Sequence, residues 1–281
     1  MPATVSVPCG FVPFSRARIW LAPPPPRIGP VLDTPAQRRG VRVELLIVFT
    51  VTLGLAGLRS LISLLDSLVA PQPLNRQTVA INAPQARNDL LDLAAQLTDV
   101  LMLLAWGALG CYLLWQAGIR LAVVGLDRTR TGRDIATGLG LTALIGIPGL
   151  ALYFAARALG ANLNVAPSTL DSSWWLVPVL ILQAIGNAWA EETLVVGYLI
   201  TRLRQLGFLE NRSLLLAAAL RGSYHLYQGF GGFVGNFLMG LILGRIWQRT
   251  GRLWPLIVAH TLLDVISFVG YALVAPHVSW L

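Results

Sequence analysis

The chain has 281 residues, 55% of them hydrophobic and only 12% charged, with a formal net charge of +8. Soluble domains carry roughly 25% charged residues, so this balance excludes an ordinary soluble domain and indicates a polytopic membrane protein. The chain has no lysine, and its arginines are set in short clusters between apolar runs. That pattern marks membrane topology and not nucleic-acid binding.

In chain order, residues 1–40 hold a proline run at Pro23–Pro26 and most of the arginines between Arg16 and Arg42. The apolar patch Ile19–Ala22 is too short for a signal-peptide core. The segment reads as a disordered Pro/Arg-rich cytoplasmic tail, or as a start placed too far upstream. Cys9 and Cys111 show no disulfide or zinc-finger spacing, and Cys111 reads as a small buried apolar residue.

Seven apolar segments follow, with limits near 43–69, 91–117, 134–158, 174–204, 211–226, 229–249 and 253–275. Most reach the ~20 residues that a span requires. The fifth is short, at ~16 residues or ~24 Å of helix. The expected fold is an all-α polytopic membrane protein of about seven transmembrane helices. Helices 1–3 would occupy residues 41–165, and a four-helix catalytic core, helices 4–7, residues 166–281.

The arginines give an independent test of that count. Arg120, Arg128, Arg130 and Arg133 fill the second connection, Arg202, Arg204 and Arg212 the fourth, and Arg245, Arg249 and Arg252 the sixth. The odd connections are nearly free of them. This alternation predicts a multi-pass plasma-membrane protein with a cytoplasmic N-terminus and Leu281 outside.

The chemistry gathers after residue 180. Glu191 and Glu192 lie within an apolar run from Trp174 to about Leu203. Charge at the centre of a membrane helix costs at least ~2.5–3.5 kcal/mol per residue, so such residues mark function by default. Gln183, Asn187 and Glu191, four apart, share a helix face, whereas Glu192 lies ~100° further round. The fifth segment carries Arg221 and His225, the seventh His260 and Asp264, and the sixth Asn236 on a face of glycines. Measured from the inner ends at the helical rise, Glu191, His225 and Asn236 lie ~20 Å deep, Asp264 ~17 Å and His260 ~11 Å. Polar residues from four helices thus fall in one slab.

A carboxylate, two imidazoles and an amide suit water activation with stabilisation of an oxyanion. Glutamate and two histidines could also bind zinc, but there is no H-E-x-x-H helix and the ligands would come singly from three helices. No cofactor is implied.

Glu191-Glu192, then His225 in the next span, then His260-x-x-x-Asp264 resembles the CAAX-protease and bacteriocin-processing family of intramembrane glutamic endopeptidases. Its pattern is EExxxR, FxxxH and Hxxx(N/D) on consecutive helices. The likeness spans roughly 170–275, with Gly197-Tyr198-Leu199 and Arg245 to Arg252 in support. It implies that Glu191 and His225 activate the hydrolytic water and that His260 and Asp264 line the oxyanion site. The implied substrate is a membrane-associated peptide or protein in the lipid bilayer, reached from a cytoplasm-facing cavity.

Two positions depart from the family pattern. Its arginine falls on Val196, and its phenylalanine on Arg221. These read as one exchange, in which Arg221 reaches across to neutralise Glu192. Asp264, where some relatives have asparagine, is either protonated or orients His260; the second is favoured. Asn187 and Asn236 are supporting residues. Competing readings are an inactive immunity or peptide-binding scaffold and a proton-coupled transporter, against which no inverted repeat appears. Oligomeric state is not readable.

Overall fold

The structure is a computed structural model that describes residues 31–274 and 277. Of the tail expected over residues 1–40, residues 1–30, with Cys9, lie outside the described residues, as does the terminal Leu281; from Pro35 onward it is helix and not disordered.

The first helix, α1 (Pro35–Val51), begins earlier than the expected 43 because its start signals are strong. Thr34 and Gln37 form a reciprocal capping box, and Pro35 occupies the first turn. The expected single span over 43–69 is two helices, α1 and α2 (Leu53–Val69), bent by 50°. At the break, Thr52 leaves helical dihedrals and its hydroxyl donates back to the Val48 carbonyl at 2.7 Å. A Thr hydroxyl bonding back to the preceding turn is a recognised cause of helix bending.

The next two helices are long. α3 (Asp89–Gln116) is capped by the Asn88 side chain, which accepts from the Leu90 and Leu91 amides, with Asp89 and Asp92 in its first turn. α4 (Thr131–Ala158) carries Pro148. Two strands missed in the sequence, β1 (Thr78–Asn82) and β2 (Asn164–Ser168), pair in parallel with Thr78 opposite Asn164.

The fourth apolar segment is one helix, α5 (Leu176–Gln205), but Glu192–Leu199 within it winds as a π-helix. The remaining helices are α6 (Glu210–Ser223), α7 (Phe230–Thr250) and α8 (Trp254–Val274). The most apolar window of α5 is 72% buried, against 17–28% for the other four long apolar helices. α5 is therefore the axis of the bundle, with α3, α6 and α8 packed around it. This placement hides its polar residues from lipid.

Among the described residues, five helices are long and apolar enough to cross a membrane, six if α1 and α2 form one bent span. The helix expected over 211–226 stops at Ser223, after 14 residues. That is ~21 Å at the helical rise, short of a ~30 Å hydrocarbon core. The chain leaves helical geometry through Tyr224 and His225 and turns at Gly229, whose φ of +108° only glycine adopts readily. α6 and α7 then run antiparallel. Their far ends meet where Arg245 donates to Asn211 at 2.6 Å and Gln248 to the Glu210 carbonyl at 3.0 Å. The hairpin thus returns to the level it left, and the side on which α8 begins does not depend on how far α6 penetrates.

At that same end, Arg252 ties the α7–α8 connection to the α3–α4 connection. It donates to Asp127 at 2.6 Å and to Asp134 at 2.5 Å. Gly125 makes the approach possible: its φ is +83°, and a side chain there would collide with the Gly251–Arg252 backbone. The Arg252 guanidinium holds the Asp127 carboxyl well below the usual carboxylate range, chiefly through their hydrogen bond.

Candidate active site

Glu192 is fully buried at 0% exposure, and a single oxygen of it, Oε1, accepts two hydrogen bonds. One comes from Arg221 Nη2 of α6 at 2.5 Å, the other from His260 Nδ1 of α8 at 2.8 Å. A carboxylate can only accept, so Nδ1 of His260 carries a proton and Nε2 is the ring nitrogen left to face a substrate. Arg221, also at 0% exposure, is positioned as expected from the sequence, reaching across from α6 to the glutamate that Val196 leaves without an intrahelical partner.

Glu191 has different neighbours. Its Oε2 accepts from the Tyr224 hydroxyl at 2.7 Å and lies 4.0 Å from Arg221 Nη2. Its Oε1 lies 4.0 Å from His225 Nε2. That separation is too long for a direct hydrogen bond and fits two groups that each contact one water. His225 Nε2 is buried and makes no hydrogen bond among the described residues, while Nδ1 faces the Gln228 amide at 3.4 Å. The backbone of this turn is clamped from outside. The Ser60 hydroxyl accepts from the Tyr227 amide at 2.6 Å, and Leu163 donates to the Gln228 carbonyl at 2.9 Å.

Asp264 requires a correction. Its Oδ2 is 3.7 Å from His260 Nε2, beyond hydrogen-bond distance, so it does not orient that ring by accepting its N–H. Glu192 does so through Nδ1. The Asn187 side chain faces Asp264 and acts on its carboxyl, which brings Asn187 into the site. Asn236 stays on its own helix, donating to the Gly232 carbonyl at 3.0 Å. The polar stripe on α5 divides as well, since Gln183 donates to the Gln96 carbonyl of α3 at 3.2 Å.

Sequence reasoning missed Tyr224 and the π-helical winding. Adjacency to His225 was the only signal for the tyrosine. The winding begins at Glu192, directly after the first glutamate, and π-helical turns occur often at functional sites. Among the described residues, no group of three or more His, Cys, Asp or Glu side chains is arranged to hold a metal ion.

The fold and the site together define a polytopic α-helical membrane protein with a buried acid–base network at its centre. Residues 173–266 match the family model for type II CAAX prenyl endopeptidase Rce1-like proteins. The matched stretch contains Glu191, Glu192, Arg221, His225, His260 and Asp264. This likeness to a family of endopeptidases supports a peptide-bond hydrolase. Comparison with curated proteins and with solved structures gave no match.

Proposed function

We propose that the protein is an intramembrane endopeptidase of the glutamate type. It cleaves a membrane-associated peptide or protein near its C-terminus or where it meets the bilayer. Glu191 is the general base, and His225 shares the proton as the water attacks. The carrying observation is the 4.0 Å separation of Glu191 Oε1 and His225 Nε2, with the imidazole nitrogen free of other hydrogen bonds among the described residues. Glu192 is a structural anion that pairs with Arg221 and holds the His260 ring through Nδ1–H; in the doubly protonated ring, Nε2–H donates to the developing oxyanion. The two glutamates therefore have separate roles. The arginine alternation supports a plasma-membrane location with a cytoplasmic N-terminus.

The test is cleavage of a quenched fluorescent peptide ending in a farnesylated cysteine and three further residues, presented in liposomes with the purified protein. Glu191→Ala and His225→Ala should each lower the rate at least about 10²-fold, the scale of general acid–base catalysis, while remaining folded. Cleavage that survives both substitutions would refute the assignment. Sensitivity to chelators, with metal found on the purified protein, would favour zinc chemistry instead.

A further inference from the structure

We propose that Tyr224 is the positioning residue of the catalytic pair, fixing the rotation of the Glu191 carboxylate so that its second oxygen faces His225. The inference rests on the hydrolase reading above.

A glutamate carboxylate rotates about a broad terminal torsion and does not select an orientation by itself. In this site one strong donor selects it. The Tyr224 hydroxyl donates to Oε2 at 2.7 Å, which leaves Oε1 as the oxygen opposite His225 Nε2. Arg221 does not orient the carboxylate, because its Nη2 is 4.0 Å from Oε2 and its close contact is with Glu192. Arg221 contributes charge, and Tyr224 contributes direction.

The same tyrosine also contacts the histidine. Its ring lies against the His225 imidazole with centroids 4.9 Å apart at 46°. Consecutive residues on an α-helix diverge by ~100° and could not both serve one carboxylate. They do so here because α6 ends at Ser223, and Tyr224 and His225 both have non-helical dihedrals. The early end of α6 is thus what places hydroxyl and imidazole on the two oxygens of Glu191.

Removing the hydroxyl leaves Oε2 as a buried acceptor with no hydrogen-bond partner. The nearest cationic donor is Arg221. The carboxylate relaxes toward it, and Oε1 turns away from His225.

Two measurements test this. Difference infrared spectra of the protein in liposomes, wild type minus Glu191→Gln, isolate the Glu191 carboxylate band without any substrate. The expected result is a shift of that band in the Tyr224→Phe background, and an unmoved band overturns the proposal. On the farnesylated peptide, Tyr224→Phe should lower kcat by about ten- to a hundredfold, the scale of a small misplacement of a catalytic group. KM and the thermal midpoint should stay close to wild type. Placing 4-aminophenylalanine at position 224 restores a donor at the same ring position and should recover most of the kcat. Unchanged kcat in Tyr224→Phe, or a loss that 4-aminophenylalanine fails to recover, overturns it. If Glu191→Ala retains cleavage, the failure lies in the hydrolase reading and not in the role of Tyr224.

Discussion

Arg221 of α6 and Glu192 of α5 meet at 2.5 Å with both side chains fully buried, so one helix supplies the counter-charge that the other lacks. In the family pattern the arginine stands four residues after the second glutamate, where this chain has Val196, itself buried. In this chain the glutamate finds its cation on a second helix and not on its own. The consequence is mechanical as well as electrostatic, because the pair now ties the short helix that leads to His225 onto the central helix.

Removing one partner of a buried ion pair is costly, by about 3–5 kcal/mol, because it leaves the other charge uncompensated. Arg221→Met and Glu192→Gln should each lower the thermal midpoint in detergent strongly. The double variant should lose less than the sum of the two. A fully additive double variant would mean that the two residues do not interact. If the two departures form one exchange, adding Val196→Arg to Arg221→Phe should recover part of the lost stability.

Asn162 is buried at 1% exposure, and its Oδ1 accepts from the Gly232 amide at 3.0 Å, in the first turn of α7. That amide is one of the four that a helix start leaves without intrahelical partners. Asn162→Ala should destabilise the protein by about 1–2 kcal/mol. Asn162→Asp keeps the acceptor and places negative charge at the positive end of the helix, so its thermal midpoint should lie well above that of Asn162→Ala. Equal midpoints for the two variants would remove the capping role.

The Arg252 cluster gives a dependence on pH. The folded pKa of Asp127 lies below its ordinary value of 3.8, first through the hydrogen bond from Arg252. A depressed carboxyl contributes stability that is fully present above the unfolded pKa and is lost as pH falls toward the folded one. The thermal midpoint of wild type should therefore fall as pH is lowered below about 4. Asp127→Asn should begin lower and show a shallower acid decline. An identical acid slope in the two proteins would show that the Arg252 contact does not carry this dependence.

Much of the bundle was legible from local pattern. The long apolar runs that became α3, α4, α5, α7 and α8 were placed to within a few residues, because membrane helices are set by length and apolarity. The bend at Thr52 and the early end of α6 were not legible. Both occur inside apolar runs, where hydropathy does not register a change in backbone dihedrals. The two short strands were missed because each is a five-residue piece whose partner lies far along the chain.

The sequence alone determined which residues could carry the chemistry. Glu191, Glu192, Arg221, His225, His260 and Asp264 stand out because charge and imidazole are too costly in an apolar helix to be present without a purpose. It also allowed the Arg221–Glu192 contact to be foreseen, since an unpaired carboxylate at that depth demanded a cation. Only the tertiary structure decided which oxygen meets which donor. Depth along a helix follows from residue number, but the angle around it was altered by the π-helical turns from Glu192 to Leu199. His260 pairs with Glu192 instead of with Asp264 once α8 is packed against α5, and Tyr224 joins Glu191 because α6 ends at Ser223. Hydrogen bonds depend on direction at the scale of a few tenths of an ångström, and that information exists only once the helices are packed.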